Sequence, residues 1–198
     1  MAHDQKVTKI SLTMATITYL TRIEFDFGAT KLLPDLVREL GITKPLIVTD
    51  PFLAESDILK QISQLLQQTS PVLFPNTPQN PTEAAVESAV KIYQANGCDG
   101  VIAVGGGSSI DLAKGVALLA THDGPLEQYA LILGGINKIS SKVAPVIAIP
   151  TTAGTGSEVG RGALISLNDG RKLGFISPHL IPKIALCDPL LTIGLPPD

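Results

Sequence analysis

The chain has 198 residues, of which 44% are apolar, and it carries a formal net charge of −3 at neutral pH. This length and apolar content are enough to bury a substantial core, and they allow at most two modest domains. The slightly acidic charge and the lack of a basic stripe argue against a nucleic-acid partner, because such binders collect Lys and Arg on one face.

Cysteine usage and the N-terminal segment indicate a cytoplasmic protein. Cys98 and Cys187 lie far apart, in or beside apolar segments, which predicts buried free thiols and a reducing compartment. The N-terminal segment contains Asp4 and several threonines and lacks the continuous apolar centre of a signal peptide. No segment approaches the ~18 apolar residues of a membrane span, so we expect no membrane partner. Residues 1–15 are expected to form a mobile terminus.

Strand-like and helix-like segments alternate along most of the chain. Short apolar runs predict buried strands, and longer runs with apolar residues at helical spacing predict helices. The alternation of the two predicts a parallel sheet with helices on both faces. The predicted strands lie at 44–50, 70–74, 99–107 (with a terminal glycine loop) and 144–150, and the predicted helices at 52–68, 81–97 and 109–124.

Two segments outside this alternation are predicted to be β-hairpins. Residues 16–29 alternate in the manner of an exposed-edge hairpin, and residues 162–177 resemble a second hairpin. The second hairpin would turn at Asn168-Asp169-Gly170, which is a type I′-like turn signal. The chain stops just after Pro196-Pro197, where a new helix could begin.

Gly105, Gly106 and Gly107 form a glycine loop between a predicted buried strand and a predicted helix. In open α/β sheets, ligands bind beyond the carboxyl ends of the strands, and a helix N-terminus offers unpaired amides that suit a phosphate. Glycines let the backbone approach a pyrophosphate, and a branched residue at Gly106 would resist any positive φ required there. The alternative is a plain turn whose helix is capped by Ser108 or Ser109.

Two further features suit a dinucleotide. The next strand ends in a loop, residues 149–159, whose hydroxyl groups could bind phosphate or sugar, although a Ser/Thr-rich turn is the alternative. We call it the threonine loop. Asp50 ends the first predicted strand, where a carboxylate accepts hydrogen bonds from an adenosine ribose and repels a 2′-phosphate. Together these features favour NAD over NADP, whereas an aspartate such as Asp50 alone is more often a loop or N-cap residue.

Four segments in order, "NPTEAAV", "GGGSSIDLAK", "IPTTAGTGSEV" and "DPLLTIGLPP", resemble the iron-containing (group III) alcohol dehydrogenases, relatives of glycerol dehydrogenase and of lactaldehyde and propanediol reductases. The resemblance covers nearly the whole chain from Thr21 onward. It implies one Rossmann-like NAD-binding domain over residues 1–198 and an alcohol or aldehyde substrate. Because the helical domain that would cover the cofactor cleft is missing, we also expect an exposed apolar face and a homo-oligomer.

The same resemblance implies a set of cofactor-binding positions. Asp50 matches the ribose-reading position, and Asn80 matches an asparagine on the adenosine side. Asp111 matches an aspartate that holds loop amides or the nicotinamide carboxamide, since it would repel a diphosphate. The remaining positions are Gly106, Gly107 and Ser108 at the pyrophosphate, Thr151, Thr152 and Thr155 around the phosphates and nicotinamide ribose, and Leu164, Lys172 and Leu191 as lining residues.

The metal site of the family is expected to be absent from this chain. Family members carry a helical domain after "GLPP", in which an aspartate and up to three histidines hold iron or zinc, and this chain ends at Asp198. His3, His122 and His179 lie on unconnected segments without ligand spacing. We therefore expect neither metal ligands nor catalytic residues here, and the chain alone is expected to be inactive.

The resemblance implies that the chain supplies the cofactor-binding half of an NAD-dependent, metal-dependent alcohol dehydrogenase. Two alternatives remain. One is a nucleotide-binding module without catalysis, which a coding frame lacking downstream Asp and His ligands would favour. The other is a dehydroquinate-synthase-like lyase, which the segment "GTGSE" disfavours.

Overall fold

The computed structural model describes residues 15–18 and 21–194 of the chain. The strands are β1 (Ala15–Thr18), β2 (Arg22–Phe25), β3 (Pro45–Val48), β4 (Val72–Phe74), β5 (Gly100–Gly105), β6 (Val146–Pro150), β7 (Gly162–Ser166), β8 (Lys172–Ile176) and β9 (Ile184–Cys187). The α-helices are α1 (Leu33–Glu39), α2 (Pro51–Ala54), α3 (Asp57–Leu65), α4 (Glu83–Ala95) and α5 (Gly107–Leu119). Short 3-10 turns fill several of the connections.

In the described part of the chain, seven strands form one sheet in the order β1-β2-β9-β6-β5-β3-β4. All neighbours pair in parallel except the edge strand β1, which is antiparallel to β2. Strands β7 and β8 form a separate antiparallel hairpin. This architecture confirms the predicted Rossmann-like α/β class.

Side chains of the central strands alternate between two hydrophobic cores. In β5, Val101 and Ala103 pack with α4, α5 and the β7–β8 hairpin, whereas Ile102 and Val104 pack with α1 and α3 on the opposite face. A strand buried on both faces reads as a continuous apolar run, which is why β3, β5 and β6 were recognisable in the sequence. The helices therefore cover both faces of the sheet, as predicted.

The chain reverses direction across the sheet between β3 and β5. After β3 it adds β4 on one side, then returns to place β5 and β6 on the other side. Connections at such a switch point diverge and leave a crevice beyond the carboxyl ends of the two strands, where ligands of doubly wound folds bind. Asp50 and the glycine loop follow β3 and β5 directly, so both lie at this crevice.

The single helix predicted over residues 52–68 is wrong. Helix α2 ends at Ala54, and Ser56 then begins α3 as its N-cap, with its hydroxyl accepting the Leu59 amide at 3.3 Å. Residues 67–69 form a 3-10 turn instead of continuing α3. A serine favours an extended N-cap over a helix interior, and this local preference divides the segment.

The first predicted hairpin needs a correction. Strands β1 and β2 do pair in antiparallel fashion, but β2 lies inside the main sheet because it also pairs with β9. Only β1 occupies the edge, and β9 was not predicted at all. The expected mobile terminus over residues 1–15 lies outside the described residues except for Ala15, which begins β1, and the expected helix start at Pro196-Pro197 also lies outside them.

The second hairpin is confirmed over β7 and β8, but its turn is not of type I′. That turn needs two consecutive residues with positive φ, whereas in the 167–171 loop only Gly170 has one, at 88°. The loop is closed by the Leu167 amide, which donates to the Arg171 carbonyl at 2.7 Å. The wider connection still pairs β7 with β8 in antiparallel fashion, from Gly162 opposite Ile176 to Ser166 opposite Lys172.

Candidate cofactor site

The glycine loop makes a tight connection from β5 into α5. Gly105 has a φ of +143°, and a Cβ atom there would lie 2.6 Å from the Ser109 hydroxyl oxygen, so only glycine fits. Gly106 has an ordinary φ of −78°. The positive φ considered at Gly106 is therefore wrong, and the requirement falls one residue earlier.

The N-terminus of α5 carries no side-chain cap. Its N-cap residue is Gly106, and the amides of Gly107, Ser108 and Ser109 make no hydrogen bond to the part of the chain that the structure describes. The Ser108 hydroxyl donates instead to the Gln79 carbonyl. No serine side chain caps α5, so the capping part of the plain-turn alternative is wrong. Three amides at the positive end of a 13-residue helix remain available to an anion.

The threonine loop lies directly across from the glycine loop. A Cβ atom on Gly106 would lie 3.4 Å from Thr152 Oγ1, and one on Gly107 would lie 3.3 Å from both Thr155 Cβ and Ser157 Oγ. Thr151 is buried and donates its amide to the Gly105 carbonyl at 3.1 Å. The absence of side chains at the glycine positions keeps a gap between the α5 amides and the threonine hydroxyls.

Asp50 occupies the crevice and also serves as a helix cap. Its Oδ1 accepts the amides of Phe52 and Leu53, both at 2.9 Å, which begins α2. Its Oδ2 makes no hydrogen bond within the described residues. Leu53 lies 3.5 Å from the position of a Cβ on Gly105, so α2 packs beside the glycine loop. The cap interpretation is thus correct, and it leaves one carboxylate oxygen available to a ligand.

The structure brings three more predicted positions close together, namely Asn80, Ser108 and Lys172. Lys172, at the start of β8, donates from Nζ to Asn80 Oδ1 at 3.1 Å. Ser108 contacts the neighbouring Gln79 through the hydrogen bond described above. The hairpin is held against this segment because the Ser166 amide donates to the Pro81 carbonyl at 2.9 Å.

Asp111, Thr155 and Leu164 line a common cavity of about 330 Å³ between the threonine loop and the hairpin. Asp111 Oδ2 accepts the Leu164 amide at 3.0 Å. One of the two roles predicted for Asp111 was to hold loop amides. It does hold a backbone amide, but this amide belongs to β7 and not to a loop. Leu164 is 53% exposed.

Lys114, which no sequence pattern singled out, contacts residues that line this cavity. Its side chain is fully buried, and Nζ donates to the carbonyls of Gly160 at 2.9 Å and Gly162 at 2.7 Å. Nζ also lies 3.7 Å from Asp111 Oδ1. Burial lowers the pKa of Lys114, while the carboxylates of Asp111 and Glu158 act in the opposite direction.

A model of the iron-containing alcohol dehydrogenase family matches residues 21–189 of the chain. This chain belongs to the iron-containing alcohol dehydrogenase family. A 4-hydroxybutyrate dehydrogenase from Cupriavidus necator is 56% identical over 92% of this chain, and a choline dehydrogenase from Bacillus subtilis is 34% identical over 89%. The matches cover 48% and 44% of those two proteins, so the chain spans about half their length.

Solved structures of similar proteins share the fold. A 1,3-propanediol oxidoreductase superposes with a TM-score of 0.83 at 30% identity, covering 93% of this chain and 48% of the other. A sulfoacetaldehyde reductase from Bifidobacterium kashiwanohense, solved in complex with NAD+, gives a TM-score of 0.82 at 29% identity, covering 90% and 47%. This chain therefore shares the fold of these structures over about half of their length.

Leu191 stands apart from the other cofactor positions implied by family membership. It is buried in the core beside α1 and α3, and it lines a groove with Thr30, Lys31 and Ile58. It does not line the cavity that holds Asp111 and Leu164. The structure therefore does not bring Leu191 together with the other predicted residues.

The described residues of this family member do not fit the metal that the family name implies. The Ser140 amide donates to His122 Nε2 at 3.0 Å, so Nδ1 carries the proton and donates to the Leu118 carbonyl at 3.1 Å. Asp188 uses both carboxylate oxygens to accept hydrogen bonds. Among the described residues, no three His, Cys, Asp or Glu side chains converge as a metal site.

A second cleft, of about 380 Å³, opens beyond β2, β6 and β9 and includes Cys187 in its lining. Both cysteines are free, and Cys98 is buried as predicted, but Cys187 is only half-buried. Burial raises the pKa of Cys187 to about 11, and Glu158 adds to this shift.

No helix in the described residues is long and apolar enough to cross a membrane.

Proposed function

We propose that this chain is the NAD-binding half of a metal-dependent alcohol dehydrogenase that transfers hydride between an alcohol or aldehyde and NAD. One observation carries the proposal: the three unpaired amides of α5 face the threonine loop at the topological switch point. Amides at a helix N-terminus suit a diphosphate through both their donors and the helix dipole. The NAD+ complex of a similar reductase supports the choice of ligand.

The chain's own residues would hold NAD along this crevice. The amides of Gly107, Ser108 and Ser109 would donate to the diphosphate, and Asp50 Oδ2 would accept a hydrogen bond from the adenosine ribose. The Lys172–Asn80 pair and the cavity behind the threonine loop would line the rest of the dinucleotide. When bound, NAD supplies the hydride acceptor, and the protein's contribution is to bind and orient it.

The decisive measurement is a fluorescence titration of the 198-residue chain with NADH. We expect saturable binding to one site per chain. Competition by ADP-ribose would assign the contact to the diphosphate and ribose groups rather than to the nicotinamide alone. A folded chain that does not bind NADH would refute the proposal.

We expect the chain to bind NADH about 10-fold or more tightly than NADPH, because Asp50 would face the 2′-phosphate in a poorly screened crevice. Asp50→Gly should narrow this preference but also removes the cap of α2. The matched variant Asp50→Asn keeps an oxygen for the cap and removes only the charge, so it should narrow the preference with less loss of stability. Equal affinity for both cofactors in the unmodified chain would contradict the role of Asp50.

The 198-residue chain alone is expected to show no alcohol dehydrogenase turnover and no stoichiometric iron or zinc. A catalytic metal needs about three converging protein ligands, and the nitrogens of His122 and the oxygens of Asp188 are already hydrogen-bonded. Elemental analysis and NAD reduction with propanediol, ethanol and glycerol test this together. Turnover accompanied by one bound metal per chain would refute the expectation.

Light scattering on the same sample would report the self-association that exposed Phe25, Leu190 and Ile193 lead us to propose.

A further inference from the structure

Lys114 is a fully buried cation behind the cofactor cavity. Lysine is almost never fully buried without a partner, and replacing a buried ion pair by apolar residues is often neutral or stabilising. Stability alone therefore gives a weak reason for a lysine at this position. The groups that the ammonium contacts indicate a role connected with the cavity.

The hydrogen-bond and ion-pair partners of Lys114 lie in the wall of that cavity. Its two hydrogen-bond acceptors are the carbonyls of Gly160 and Gly162, and its ion-pair partner is Asp111. Gly160, Gly162 and Asp111 each line the 330 Å³ space beside Thr155 and Leu164. The charge of Lys114 therefore lies immediately behind the surface that a dinucleotide would touch.

Asp111 poses an electrostatic problem for an anionic ligand. It lies one turn into α5, beyond the amides proposed to bind the diphosphate, and its side chain is only 14% exposed. Its Oδ1 is buried and accepts no hydrogen bond within the described residues. A poorly screened carboxylate one helical turn from those amides would oppose the positive helix N-terminus and repel the diphosphate.

We propose that Lys114 is a positioning residue that compensates the charge of Asp111, so that the cavity accepts an anionic dinucleotide. This inference rests on the proposed NAD-binding function. Asp111 can then keep its hydrogen bond to the Leu164 amide, which orients β7, without repelling the ligand. The buried ammonium thus lets one carboxylate organise the hairpin beside a phosphate site.

A double-mutant cycle tests this proposal, with the dissociation constant of NADH as the readout. Lys114→Met removes the charge at similar length, and Asp111→Asn removes the opposing charge but keeps an oxygen for the Leu164 amide. We expect Lys114→Met to weaken NADH binding about 10-fold in the wild-type background and about threefold or less in the Asp111→Asn background. The lost hydrogen bonds to Gly160 and Gly162 are common to both backgrounds and cancel.

Equal weakening in both backgrounds would overturn the proposal, because hydrogen bonding to the wall would then explain the whole effect. Unchanged NADH binding after Lys114→Met would also overturn it. Lys91→Met is the matched control, since Lys91 is exposed on α4, and it is expected to leave binding unchanged. A wild-type chain that fails to bind NADH would refute the proposed function itself, whereas wild-type binding with unaffected Lys114 variants would refute only this inference.

Thermal unfolding of each variant is measured first. If Lys114→Met does not fold, the double variant carries the test, because it contains no uncompensated buried charge. The double variant is expected to fold and to bind NADH within about threefold of wild type. A double variant that does not fold, or that folds and binds about 10-fold more weakly, would overturn the proposal.

Discussion

Gly106→Val is expected to weaken NADH binding about 100-fold while leaving the chain folded. Gly106 has φ −78° and ψ −169°, an extended conformation that valine adopts without strain. Its side chain would branch from a Cβ atom 3.4 Å from Thr152 Oγ1 and fill the gap between the two loops. Losing two charge-assisted hydrogen bonds at about 1.5 kcal/mol each corresponds to about 100-fold in affinity.

Isothermal titration calorimetry with NADH measures this loss, and thermal unfolding shows that the variant is folded. Gly194→Val is the matched control, because a Cβ atom there meets no other heavy atom within 4 Å. It should bind NADH as the wild type does. Unchanged affinity in folded Gly106→Val would mean that the glycine loop is only a turn between β5 and α5.

The central strands could be predicted from the sequence because each is buried on both faces. Strands β3, β5 and β6 read as short continuous apolar runs between polar or glycine-containing segments, and a parallel sheet explains that pattern. Strand β9 becomes a strand by pairing with β2 and β6, which are distant from it in sequence. Local propensity carries little information about such a pairing.

The site shows the same division between local and long-range information. The glycine loop and Asp50 were recognisable because turn chemistry and strand ends are local features. Lys114 was not, since at three residues from Asp111 it has the spacing of an ordinary surface ion pair on a helix. Its burial depends on the Gly160 and Gly162 carbonyls, which a fold brings to α5 from a distant segment.

Asp188 connects the end of β9 to the start of the 3-10 helix at Ala29–Leu32. It is 3% exposed, and its oxygens accept the amides of Gly28, Thr30 and Leu190 and the hydroxyl of Thr30. Removing the carboxylate leaves these part-buried donors of Gly28, Thr30 and Leu190 without this partner. An unsatisfied buried donor costs about 1–3 kcal/mol, so the combined loss is a large share of the stability of a domain this size.

Asp188→Ala is therefore expected to lower the free energy of unfolding by about 3 kcal/mol or more near neutral pH. Burial alone would raise the pKa of Asp188, but the hydrogen bonds from Gly28 and Thr30 outweigh burial and hold it below its ordinary value. A carboxyl whose folded pKa is depressed stabilises the fold fully above its unfolded pKa of about 3.9, and this contribution is lost as the pH falls through the folded pKa. The gap in stability between wild type and Asp188→Ala should thus be widest near neutral pH and narrow in acid.

Urea unfolding from about pH 7 to about pH 3 measures this gap. Asp35→Ala, at an exposed position, is the control and is expected to lose less than about 1 kcal/mol. A wild-type urea midpoint for Asp188→Ala at neutral pH would refute the anchoring role of this carboxylate.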